Sequence, residues 1–138
     1  MTGFAEVSDI LWRERELLDV LLFKLDSERL LLRAGSMRWL ARSTHEVDVV
    51  LEQLQVVEIS RALEVDDLTA QLGLPAGGTL SDLAAVAPTP WAELFSAHRA
   101  AFRSLIAQIT DLAEANQHAL AEACATSERN LHRLRIPV

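Results

Sequence analysis

Few residues in this 138-residue chain are of types that do chemistry, and their spacing does not suit it. Glu114 and His118, and again Glu128 and His132, stand four apart. A di-metal carboxylate bundle needs Glu-x-x-His pairs projecting inward from facing helices, and no such pair occurs. There is no His-Glu-x-x-His zinc motif and no cysteine pair, Cys124 being the single thiol. Gly77-Gly78-Thr79 lacks the lysine and outer glycine of a phosphate loop and follows a helical pattern where such loops follow a strand, so it reads as a turn. The four histidines are scattered, and spacing brings no serine or cysteine near one. No catalytic residue, cofactor or metal site is expected, and an enzyme is the reading these residues support least.

What the chain offers is apolar surface in long helical stripes. The last third, from Trp91 through Phe95, Phe102, Leu105, Ile109, Leu112 and Leu120 to Leu131 and Leu134, keeps its apolar residues within one arc of roughly 120° over about eleven turns. Thr89 as N-cap and Pro90 at the first helical position suit its start. Its length makes it the expected platform for the rest of the chain. His98, Asn116 and Ser127 interrupt the arc, and polar residues in a helical seam fix register or partner number at a cost in stability. His118 and His132 project from the solvated face, and Cys124, on the arc, is expected to be buried and inert.

Upstream, Leu11, Leu18, Leu25 and Leu32 recur every seven residues, and Gly35 ends that helix. A second helix presents Met37, Leu40, Thr44, Val47, Leu51, Leu54, Val65, Leu68 and Leu72, and Gly73-Leu74-Pro75 stops it. Glu58 and Arg61, three apart, can pair with each other or with a facing helix. Thr79 or Ser81 can cap a short helix, with Asp82 in its first turn. The expected fold is all-α: an elongated antiparallel bundle of three long helices, over about 4–34, 36–72 and 90–134, with a short extra helix over about 80–87 in the second connection. It should form one domain across 1–138.

Both upstream helices carry a second stripe. Trp12, Phe23 and Leu30 cluster away from Leu18, and Val49, Val56 and Leu63 lie at sevens on the far side of the second helix. Left in water, these groups form a patch near the upper end of what soluble monomers tolerate. Either another polypeptide covers them, including a second copy in a homodimer, or the last helix and the short connector helix do.

A net charge of −7 with mixed signs along the solvated faces implies no nucleic-acid partner. The one basic cluster is Arg129, His132, Arg133 and Arg135, which suits a helix C-terminus. No apolar run is long enough for membrane insertion, no signal-peptide pattern precedes Val7, and a lone cysteine gives no sign of an oxidising compartment. A cytoplasmic location is expected.

Leu11-Trp12-Arg13-Glu14-Arg15-Glu16-Leu17-Leu18, the break Leu72-Gly73-Leu74-Pro75, the segment Thr79-Leu80-Ser81-Asp82-Leu83-Ala84 and the late Leu112-Ala113-Glu114-Ala115-Asn116 come in a familiar order. Together they resemble the FlgN-like flagellar export chaperones of high-GC Gram-positive bacteria. The resemblance implies a cytoplasmic type III export chaperone that binds hook-associated, hook-filament junction subunits, keeps them soluble and brings them to the flagellar export gate. It further implies cargo capture on the C-terminal helix, here Leu105, Ile109, Leu112, Asn116, Leu120, Leu131 and Leu134. The aromatic hydroxyl that family members use for gate docking has no counterpart, because the chain lacks tyrosine. The alternative is a structural coiled-coil module whose stripes serve self-association without cargo.

Overall fold

A computed structural model describes residues 3–134, and the side chains of 3–125. Four helices follow in order: α1 (Phe4–Ala34), α2 (Met37–Gln71), α3 (Leu80–Val86) and α4 (Trp91–Leu134), with no strand among the described residues. Their ends follow from local chemistry. The Glu6 carboxylate accepts from the Gly3 N–H at 2.9 Å and holds the start of α1. Gly35 takes the left-handed conformation (φ 66°), which lets the Ser36 N–H donate to the Leu31 carbonyl at 3.0 Å. Gly73 (φ 72°) does the same at the end of α2, where the Leu74 N–H reaches the Thr69 carbonyl at 2.9 Å. Thr79 and Asp82 cap α3 reciprocally, the Thr79 N–H donating to Asp82 and the Asp82 N–H to the Thr79 hydroxyl. At α4 the expectation needs correcting: the helix begins at Trp91, the Thr89–Pro90 peptide is cis, and Thr89 is not its cap.

With only Gly35 and Ser36 between them, α2 must fold back along α1, as the cross-helix pairs Lys24–Glu46 and Arg61–Glu14 record. Helix α4 runs parallel to α1, since Phe4 lies beside Trp91 and Phe95 while Leu25 and Glu28 lie beside Asn116. Helix α1 packs against both α2 and α4, and α3 lies on α4. Helices α2 and α4 have no comparable seam with each other. The platform is therefore the first helix, and the longest apolar stripe belongs to a flank.

That position explains which residues are buried. Val7, Leu11, Glu14, Leu18, Leu21, Leu25 and Glu28 of α1 are all buried, at alternating spacings of four and three. Helix α2 has one long neighbour, so its buried set narrows to a seam of Leu40, Ser43, Val47, Val50, Leu54, Val57, Val65 and Leu68, with Thr69 buried beside the last of them. Val50 and Val57 take places expected for Leu51, while Met37, Leu51 and Leu72 are exposed. The fully buried Leu11, Leu83, Phe95 and Val7 mark the end of the bundle where the first turns of α4 close over α1 and α3 lies on α4. Each such side chain contributes about 1.5–3 kcal/mol through burial.

Candidate functional site

The surface expected to matter is α4, and α1 decides how much of it is left free. In its first turns the helix is locked. Phe95 is fully buried, with ring centroids 6.0 Å from Phe4 and 6.5 Å from Trp91. One turn on, His98 is also fully buried, set edge-on against Trp12 at 4.8 Å. Arg15 Nη1 lies 3.3 Å from its Nδ1 and Ser8 Oγ lies 3.4 Å from its Nε2. A guanidinium only donates, so Nδ1 accepts and the ring proton sits on Nε2, facing the serine oxygen. Burial, reinforced by the Arg15 charge, holds the His98 pKa below its ordinary 6.5. The histidine thus lies inside the seam, held there by Ser8 and Arg15 of α1.

Beyond Phe102 the same face is only half covered. Leu105, Ile109, Leu112 and Leu120 are half-buried, and Ile106 is 53 % exposed. Among the residues of this face whose side chains are described, the one fully inserted is Asn116, 2 % exposed, whose amide donates to the Leu25 carbonyl at 2.8 Å and to Glu28 Oε1 at 3.0 Å. Glu28 Oε2 accepts in turn from the Thr44 hydroxyl at 2.9 Å. A buried carboxylate of α1 thus ties α2 to α4, and Asn116 holds the helix down without facing outward. Leu131 and Leu134, like Ser127, lie outside the residues whose side chains are described.

Register places the end of this surface. Ser8–His98, Leu25–Asn116 and Glu28–Asn116 join residues 88 to 91 apart, and the long Arg15 side chain reaches His98 across 83, so Ala34 comes level with about 122–125 of α4. Helix α4 then continues for roughly ten residues, about 15 Å at 1.5 Å per residue, past the end of α1. This accounts for a second correction: Cys124, expected to be buried, is exposed, because α1 has no side chain left to cover it.

The second stripes are open. Trp12, Phe23, Leu30, Val49, Val56 and Leu63 are all exposed, Phe23 at 66 % and Leu63 at 67 %. Ile59 joins Val56 and Leu63 on α2 at helical spacing. Trp12 meets α4 through His98 and lies under Arg15, 4.2 Å from the ring centroid. Phe23 lines a groove of about 740 Å³ between α1 and α4, whose other walls include Leu22, Leu112, Asp19, Asp26 and Asp111. The covering of both stripes from within, one of the two expectations, does not occur.

Arg61 pairs with the facing helix and not with Glu58: its Nε lies 2.9 Å from Glu14 Oε2. The N–H is not aimed at the oxygen, so the contact is coulombic and both atoms lack a hydrogen bond. Burial raises the Glu14 pKa above 4.5, the Arg61 charge opposes that, and Glu58 adds to it. Glu14 and Glu28 went unrecognised as seam residues, although they complete the four-three alternation between Val7, Leu11, Leu18, Leu21 and Leu25. His118 pairs with Glu122 at 3.3 Å on the solvated face. Among the described residues no three acidic, histidine or cysteine side chains converge as metal ligands, and no helix is long and apolar enough to cross a membrane.

Among the described residues, apolar faces of α1, α2 and α4 are left open to solvent. In comparison with known proteins, the family model described as FlgN protein matches residues 1–135. No curated protein and no solved structure matches.

Proposed function

This chain belongs to the FlgN family of flagellar export chaperones, and on that premise we propose that it binds hook-associated subunits in the cytoplasm and keeps them soluble until they reach the export gate. The observation that carries the reading is the unequal cover of α4, sealed through Phe102 and half-bare from Leu105 to Leu120. Amphipathic cargo segments that fold on binding need such an accessible apolar helix face. In this reading Leu105, Ile109, Leu112 and Leu120 make the first contacts and Leu131 and Leu134 extend them. Asn116, bonded to Glu28, sets the register of that face. The role is binding, with no catalysis, nucleic acid or membrane insertion involved. Gate docking would use a group other than the absent tyrosine.

Co-expression with the hook-associated proteins of the same genome tests this. One of them should co-purify at a fixed ratio, and Leu112→Glu with Leu120→Glu should release it while leaving the helical content unchanged. Failure to retain any of them defeats the reading.

A second reading, self-association through the stripes, is favoured by the exposed run Val49, Val56, Ile59 and Leu63 on α2. Light scattering would show a homodimer that Val56→Glu dissociates.

A further inference from the structure

The C-terminal half of α2 and the early turns of α4 stand apart over α1 and enclose an apolar groove of about 540 Å³, bounded by the turn that carries Gly77 and Gly78. Phe102 and Val65, both buried, contribute to its floor, and the exposed Ile106 lies on its lip. Three guanidinium groups line it, from Arg61, Arg99 and Arg103, against the single carboxylate of Asp66. Arg61 is engaged with Glu14 and lies 5.9 Å from the Phe102 ring centroid. Arg99 and Arg103, one turn apart on α4, have no ion pair or hydrogen bond to any described residue.

In a chain with twenty acidic and thirteen basic residues, this is a local reversal of charge beside an apolar trough. Guanidinium groups bind carboxylates in a planar two-pronged geometry. Two of them a turn apart match carboxylates spaced three or four residues apart on a helix laid alongside α4. A second copy of the whole chain would bring seven net negative charges into long-range repulsion, whereas a segment brings only the carboxylates that the arginines take up.

We propose that this groove docks an acidic amphipathic helical segment of a partner protein, its apolar face on Phe102, Val65 and Ile106 and its carboxylates on Arg99 and Arg103. The surface meets the half-bare stretch of α4 only at Ile106, while Val65, Arg99, Phe102 and Arg103 lie outside that stretch, so the inference does not depend on what is captured there.

The test uses fluorescent helical peptides with one shared apolar face and either two glutamates or two lysines, four apart, on its flank. Anisotropy is measured against the full chain. The glutamate peptide should bind about tenfold or more tighter than the lysine peptide, with the margin shrinking as salt is added. The double variant Arg99→Glu with Arg103→Glu should invert the preference, the Gln pair should abolish it, and Ile106→Asp should weaken both peptides. Equal binding of the two peptides, or a preference that survives both arginine variants, overturns the proposal. So does light scattering that shows a second copy in the groove, displaced by Ile106→Asp. Capture of hook-associated subunits is read separately, so either result stands without the other.

Discussion

Along α4, the turns up to Phe102 and the stretch after Leu105 meet the same helix in different ways. The first is a mixed aromatic core, with Phe4, Trp91 and Phe95 stacked and His98 fully enclosed. The second is a row of half-buried leucines and isoleucines pinned by one amide. Both come from a single amphipathic pattern of unbroken phase. The difference lies in what opposes the pattern: α3 closes over the early turns through Leu83, and no comparable element among the described residues closes over the later ones. Local stability along one helix can therefore differ widely without a break in the helix.

The sharpest challenge to this contrast is truncation of one residue in each part. Phe95→Ala should cost about 3–5 kcal/mol, and Leu112→Ala only about 1–2 kcal/mol, measured by urea unfolding. Equal losses would mean that the later stretch is packed as tightly as the early one. Next comes the amide. Asn116→Leu removes two hydrogen bonds and leaves Glu28 with an unmet acceptor, at about 2–3 kcal/mol. Hydrogen exchange should speed up most in α4 beyond Leu112 and least around Phe95.

Acid should act on the early turns. A histidine whose folded pKa lies below its unfolded value stabilises fully above pH 6.5, and that contribution is lost as pH falls through the folded value. Midpoints should drop on going from about pH 7 to about pH 5, and His98→Gln should remove that part of the drop. The smallest effect is expected at Glu14. Its folded pKa is raised, so its contribution is present below pH 4.5 and fades as pH rises through the folded value. At neutral pH, Glu14→Gln relieves a buried charge while freeing a partly exposed arginine, and the net change should stay within about 1 kcal/mol.

Much of this architecture could be read from the chain. The caps at Gly35, Gly73 and Thr79 and the leucine periods of α1 gave helix ends within a residue or two, and His98 and Asn116 were recognisable as polar interruptions. Periodicity tells which face of a helix is apolar but not which neighbour meets it. It therefore misplaced the platform, which is α1 between the other two long helices and not α4, and it wrongly buried Cys124, which is exposed. Leu51 and Val50 are adjacent apolar residues, and only the crossing of α2 over α1 selects the valine. Nothing in the sequence singles out Arg99 and Arg103, since the wall that makes them part of a groove comes from α2, more than thirty residues earlier in the chain.

The middle position of α1 also sets an order of assembly. Its seam with α2 joins residues close in sequence across a two-residue connection, whereas its seam with α4 spans about ninety. Loop closure favours the short pairing, and translation supplies it first. The hairpin of the first two helices can thus exist as a finished half while the last helix is still being synthesised. During that interval the entire α4-facing side of α1 is uncovered.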